Sequence, residues 1–442
     1  MQTRLSTPIL TSAASKESQW GTFKDSLRSP VHSWFTYPAG FSYKAVENTI
    51  DLHHLIPGKS VIYDPFMGSG TTNIVAKMKA INSIGIEAHP FVFDIAQAKM
   101  TWSVNSKLIK DFLESLDNLT SKVPSKEEVE ISNKIKFPEL LLKCFLPESL
   151  YSLGIIRDMV TNHKYLDSTE KRFLHTSLIC SLRDVSIAAT GWPYIAPNKI
   201  KITSMSKNAI TVFKNKCIKM IDDLEFVKLN SNKIKSEHDI VLGDSRHTVI
   251  PSESVDHIFT SPPYLNNFDY TDRTRLEMYF MGAAKTWGEL SQRVRTKLMT
   301  SATTQIHRSD RKYILNKEID NKVPEVYKFI RSSQLKLERI RKTKGGKKSY
   351  DLLITGYFND IFDILKDNFR VLKKGKTATY ILGDSAPYGV HIPTDEIIGK
   401  LGIGIGFKNY NIEILRTRGG KWPSNPQRHN VKLRETVLTL KK

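Results

Sequence analysis

Two short stretches of this 442-residue chain combine residue types that could do chemistry. The first is Asp256-His-Ile-Phe-Thr-Ser-Pro-Pro-Tyr264. Ile258-Phe259 reads as the end of a buried strand, and the prolines after it stop both ladder and helix. Pro262 and Pro263 fix successive backbone angles, so Ser261 forms a rigid corner with Tyr264 on its far side. The Ser261 hydroxyl and the Pro262 carbonyl then stand as fixed acceptors beside a flat aromatic face. Such a corner suits a planar ring, held by stacking while the oxygens accept from an exocyclic amino group. The simpler alternative is a Pro-Pro turn after a core strand, with Tyr264 as ordinary packing.

The second stretch, Asp64-Pro-Phe-Met-Gly-Ser-Gly-Thr-Thr72, reduces the weight of that alternative. It follows an apolar strand, Ser60-Val-Ile-Tyr63, and opens a helix from Thr72 to about Ala80. Strand, glycine-rich turn and helix receive a cofactor at the carboxyl end of the strand. Gly68 and Gly70 are expected to let the backbone pass close to a ligand. The helix amino terminus offers free N–H groups and a positive dipole to a carboxylate. A dinucleotide loop would need Gly or Ala where Asn73 stands, and no Gly-Lys-Ser/Thr makes a Walker loop. The next strand, Ser83-Ile-Gly-Ile-Glu87, ends in an acid roughly 20 residues past the glycines, the usual partner of ribose hydroxyls.

These loops need a sheet to hold them, and the chain alternates accordingly. Helical patterns cover Tyr43 to His54 and Pro90 to Lys107. Two apolar strands, Asp239-Ile-Val-Leu-Gly-Asp244-Ser and Thr379-Tyr-Ile-Leu-Gly-Asp384-Ser, end in the same Gly-Asp-Ser tail. A helix over 351–370, a Lys373-Lys-Gly-Lys turn, a strand over 377–383 and a helix over 394–401 follow, with final strands over 411–416 and 436–440. Residues 108–235 break the rhythm with long amphipathic spacing, then an aromatic loop in which Trp192 and Tyr194 either pack or meet bases. Residues 285–348 are strongly basic, and residues 1–30 read as a flexible polar arm.

The string Phe259-Thr-Ser-Pro-Pro-Tyr264 resembles the signature of the amino-group DNA methyltransferases, most closely the cytosine-N4 branch. The glycine loop closely resembles the family's adenosylmethionine loop. Here it precedes the Ser-Pro-Pro-Tyr corner, whereas many cytosine-N4 members have the permuted order. The resemblance implies a Rossmann-like α/β methyltransferase sheet built from 31–107, 236–284 and 349–442. The helical insertion 108–235 is the candidate target-recognition region, and the basic insertion 285–348 the candidate DNA contact. It further implies S-adenosyl-L-methionine as cofactor, held by Tyr37, Pro38, Phe41, Asp64, Pro65, Phe66, Gly68, Ser69, Gly70, Thr71, Thr72, Glu87 and Asp244. In this reading, Tyr37, Pro38 and Phe41 cover the cofactor and Asp244 holds its adenine amino group. Ser261, Pro262, Pro263 and Tyr264 form the catalytic set, acting on a flipped base without a metal. The expected substrate is N4 of cytosine in double-stranded DNA, with N6 of adenine as the alternative. A cognate restriction endonuclease would be the partner, and the protein a cytoplasmic, prokaryotic monomer.

Composition agrees with a polyanionic partner: the formal net charge is +21 and is not confined to a tail. Cys144, Cys180 and Cys217 form neither a disulfide framework nor a CxxC pair. Methylation at carbon 5 of cytosine would need a cysteine after a proline, and Lys143, Ile179 and Lys216 precede the three present. RNA and protein methyltransferases with a related corner usually carry Asn where this chain has Ser261. A non-catalytic DNA-binding subunit would have little reason to keep both motifs.

Overall fold

The structure is a computed structural model, and it describes residues 10–12, 19–36, 40–117, 124–190, 194–204, 206–266, 268–418 and 431–442. Ten strands are named in chain order: β1 (Leu10–Ser12), β2 (Val61–Asp64), β3 (Asn82–Glu87), β4 (Ala188–Thr190), β5 (Ile195–Ile200), β6 (His238–Leu242), β7 (Val255–Thr260), β8 (Leu372–Gly383), β9 (Asn409–Arg418) and β10 (Leu433–Lys441). Eight form one sheet in the order β1-β9-β10-β8-β7-β2-β3-β6, while β4 and β5 make a separate antiparallel pair. From β6 to β8 every pairing is parallel, and β10 lies antiparallel to both β8 and β9.

Burial explains the ranking of the strands. All six positions of β7 are buried, as suits a central parallel strand covered on both faces. The outer β6 leaves Val241 and Leu242 about half exposed. The chain runs outward from β2 through β3 to β6, then returns to the other side of β2 with β7. That reversal leaves a crevice at the carboxyl ends of β2 and β7, where open α/β sheets take ligands.

Three expectations change. Leu10–Ser12, inside the segment read as a flexible arm, pairs in parallel with β9, and Phe23 and Ser26 are buried. The Lys373-Lys-Gly-Lys turn lies within β8, where Asp256 pairs with Lys373 at 2.8 Å and with Lys376 at 3.7 Å. The helix expected over 90–107 stops at Met100, and Asn105 caps a new one over Ser106–Ser115.

The helical insertion shares a core with the sheet's helices rather than owning one. Leu153, Leu178 and Phe213 cluster with Trp34, Phe91, Ile95 and Phe280. Arg183, in the last turn of the helix Ser168–Val185, pairs with fully buried Glu277 at 2.6 Å. Asp223 accepts from the Trp34 indole at 2.8 Å and the Val31 amide at 3.1 Å, fixing the segment before the glycine loop. In the basic insertion the long helix Pro324–Thr343 buries Val326, Ile330 and Leu337 against Tyr350–Val371, so its cations face outward. Among the described residues no helix is long and apolar enough to cross a membrane.

Candidate active site and cofactor cleft

Asp64 joins the two motifs. It ends β2 fully buried, and its Oδ2 accepts from the Thr72 hydroxyl at 2.6 Å, at the start of the glycine-loop helix. Its Oδ1 accepts from the Phe66 amide at 3.0 Å and from the Thr260 hydroxyl at 2.6 Å, one residue before Ser261. Burial pushes its pKa up to about 6, against the three hydrogen bonds that favour the charged form. With its oxygens committed inside the protein, Asp64 holds the loop and the corner at a fixed separation and does not line the cleft between them.

The glycine loop is held by a second carboxylate. Glu87, at the end of β3, accepts from the Gly68 amide at 2.9 Å and the His89 amide at 2.8 Å. Burial raises its pKa to about 7, and these amides oppose the rise. Gly70 has φ of +89° and precedes the helix Thr71–Met78, a conformation that favours glycine. A Cβ there would meet Ala96 at 3.5 Å, so Gly70 faces helix packing and not the ligand side of the loop. The close approach falls instead at Gly85 of β3, where a Cβ would lie 2.5 Å from the Met67 sulfur.

The cleft encloses about 850 Å³, solvent at its mouth included. Of the residues expected to hold a cofactor, Phe41, Pro65, Phe66, Gly68, Ser69, Thr71, Glu87 and Asp244 line it. Ser261 and Pro263 line the same cleft. Gly70, Thr72, Pro262 and Tyr264 are not on its wall, and Tyr37, Pro38 and Trp192 lie outside the described residues. Sequence reasoning missed a further part of the lining: Lys297, Leu298, Met299 and Ser301 of the basic insertion, with Tyr270. Nothing in the composition of Lys297-Leu-Met-Thr-Ser301 marks it as a roof. The donor set fits an adenosyl amino acid, since the Glu87 and Asp244 carboxylates and apolar Phe66, Met67 and Ile86 line one cleft.

At the corner, the Ser261 hydroxyl donates to the Ile381 carbonyl of β8 at 3.1 Å. Tyr264 is held rather than free: its hydroxyl donates to Glu435 at 3.1 Å, and the Arg418 guanidinium lies 5.1 Å from its ring centroid. Glu435 is also held by Arg416 at 2.6 Å. Tyr194, read as either packing or base contact, accepts from the Asp269 amide at 2.8 Å through its hydroxyl. Asp269 in turn accepts from Arg295 at 2.8 Å, tying the segment after the corner to the basic insertion.

The DNA methylase family signature matches residues 10–98, which contain β2, the glycine loop and Glu87. The chain is 25% identical to the type II methyltransferase M.BsoBI of Geobacillus stearothermophilus, over 88% of this chain and 81% of that protein. It is 24% identical to M.AvaI of Nostoc sp. over 95% and 88%, and 22% identical to M.MvaI of Kocuria varians over 91% and 87%. The chain is thus similar to a DNA methylase family over residues 10–98, and to type II methyltransferases over most of its length.

Members of this family generally use S-adenosylmethionine. For an amino-group methyltransferase, the useful feature is that glycine loop and Ser-Pro-Pro corner open onto one cleft from neighbouring strands. The family match stops at residue 98. The alignments with the relatives extend over 88% and 95% of the chain.

Proposed function

We propose that this protein is a type II, site-specific DNA methyltransferase that methylates the exocyclic N4 of cytosine in duplex DNA, with S-adenosylmethionine as donor. The observation that supports it most directly is the shared carboxylate of Asp64, which bonds Thr72 and Thr260 and so sets the cofactor loop beside Ser261. Three relatives named as type II methyltransferases align over most of the chain and support the type II reading. Serine before Pro262-Pro263 favours N4 of cytosine over N6 of adenine. A cognate endonuclease of the same specificity, a monomeric state and action in a prokaryotic cytoplasm belong to this reading.

The exocyclic nitrogen is a poor nucleophile because its lone pair is delocalised into the ring. Ser261 directs its own hydrogen to Ile381, which leaves its lone pairs for an amino hydrogen of the base. The Pro262 carbonyl accepts the other hydrogen. Together they localise the nitrogen lone pair, aim it, and meet the charge that develops on it. When bound, S-adenosylmethionine supplies the sulfonium methyl that the nitrogen attacks. A duplex hides the amino group, so the base is flipped out, and Tyr264 stacks on it once its hydroxyl leaves Glu435 and its ring leaves Arg418. Mass spectrometry of nucleosides from DNA treated with the purified protein tests the assignment. N4-methylcytosine is the expected product; N6-methyladenine would overturn the base, and labelling of RNA or protein alone would overturn the substrate class.

Glu87 accepts from the ribose hydroxyls as a carboxylate. With its pKa near 7 in the free protein, S-adenosylhomocysteine should bind roughly tenfold more weakly at pH 6 than on the alkaline plateau. Calorimetry from pH 5.5 to 8.5 reads this slope, and Glu87→Gln should flatten it. A wild-type affinity independent of pH would count against the role.

The basic insertion neutralises phosphates. Lys344, Lys347 and Lys348 are exposed at the end of the long helix, and Lys342 has only a 4.0 Å approach to Glu338. Changing all four to alanine should weaken binding to every sequence alike. It should also flatten the log–log salt dependence by about 0.9 for each phosphate no longer neutralised. Site preference should persist if base reading lies in the helical insertion. An unchanged slope would make this cluster a solvated surface. Not every cation in the segment is available, since Arg295 and Arg308 are paired with Asp269 and Asp351, each at 2.8 Å.

A further inference from the structure

We propose that Asp360 is a positioning residue that, through Arg246, locks the cleft roof 297–301 to Asp244. The inference rests on reading the cleft as the cofactor site. Arg246 grips Asp244 with Nε at 3.0 and 2.9 Å from the two carboxylate oxygens and Nη2 at 2.6 Å. Its remaining nitrogen, Nη1, donates to Asp360 Oδ1 at 2.8 Å. The other oxygen of Asp360 accepts from the Thr300 amide at 2.7 Å. One residue on, the Ser301 carbonyl accepts from the Asn266 amide at 3.0 Å, two positions past Tyr264. A continuous path therefore runs from Asp244 on one wall, through two charged side chains, to the roof and on to the corner.

The energetics suit a positioning role. Asp360 and Arg246 have side chains only 14% and 25% exposed, so their charge-assisted bond is less screened than a surface pair, while Asp244 at 50% faces the open cleft. Despite the opposing effect of burial, Arg246 holds the Asp244 carboxyl below its ordinary range, keeping it charged. The roof belongs to no long helix or strand; a local turn through Gln305 shapes it, and Asp360 supplies its bond to the helix Tyr350–Val371. A ligand that touches both Asp244 and the roof closes this circuit. Its binding should therefore quiet the roof only while Asp360 connects the two.

The test is hydrogen exchange of peptides spanning 297–301, with and without saturating S-adenosylhomocysteine. In the wild type, exchange should slow by about fivefold or more on binding. Asp360→Asn keeps the size of the side chain but turns an amide toward Arg246 or Thr300. It should lose that added protection while calorimetry still detects the ligand. Arg246→Gln, on a different element, should lose it as well and covers the case in which Asp360→Asn fails to fold. A purely structural role would lower the melting temperature and leave the ligand-dependent difference intact; that result would overturn the proposal. So would a wild-type roof indifferent to bound ligand. Failure of the wild type to bind S-adenosylhomocysteine at all would overturn the cofactor reading, and this inference with it.

Discussion

Ser261→Ala is expected to lower the single-turnover methyl-transfer rate by about 10²–10³, the scale seen when one preorganised polar group is removed from a developing charge. The loss should fall on the chemical step. Ser261 accepts most usefully as the amino nitrogen becomes tetrahedral, so affinities for DNA and for S-adenosylhomocysteine should change little. One structural side effect has to be separated. Ser261 also donates to the Ile381 carbonyl at 3.1 Å, and alanine leaves that acceptor unpaired at the end of β8. Its cost appears in stability, about 1–3 kcal/mol at most, and denaturant melts of the variant measure it directly. Ser261→Asn supplies an amide oxygen at the same corner and should recover part of the rate. A Ser261→Ala protein with full single-turnover rate on bound DNA would remove Ser261 from the mechanism.

The second large effect is expected at Asp64. Asp64→Ala leaves the Thr72 and Thr260 hydroxyls and the Phe66 amide without their shared acceptor in a fully buried site. Stability should fall by about 3 kcal/mol, and S-adenosylhomocysteine affinity by more than tenfold, because the loop is no longer registered against the corner. The pH dependence has a definite sign. The folded pKa of about 6 lies above the ordinary carboxylate value, so the contribution of Asp64 is fully present below about pH 4 and is lost as the pH rises through 6. The destabilisation caused by Asp64→Ala should therefore be larger at pH 5 than at pH 8. Denaturant titrations at both values check it. Normal cofactor affinity in a folded Asp64→Ala protein would show that the two motifs keep their places without the shared carboxylate.

The two motifs were legible in the sequence because their geometry is local. Consecutive prolines fix the corner within a few residues, and glycine with positive φ fixes the loop at Gly68 and Gly70. The strands before them were legible for the same reason, since apolar runs bounded by such residues have few alternatives. Glu87 was read from its place at a strand end, whereas the role of Asp244 came only from the family resemblance. Local reasoning erred where a neighbour outside the window decided the outcome. Gly70 was expected to face a ligand, but the helix Pro90–Met100 supplies the Ala96 contact that defines its environment. Within the strongly basic segment 285–348, Tyr313 is buried, its hydroxyl bonded to the Gln305 carbonyl at 2.7 Å.

What the sequence determined by itself was the chemistry of each loop: acceptors at a rigid corner, and a glycine turn that opens a helix. Only the tertiary structure decided that these loops serve one cleft. Thr260 and Asp64 lie 196 residues apart and meet because β7 returns to the side of β2 away from β3. The roof at 297–301 and the Arg246–Asp360 link have the same origin. Hydrogen-bond partners across a parallel sheet leave no periodicity in the chain, since their spacing is set by crossover connections of arbitrary length.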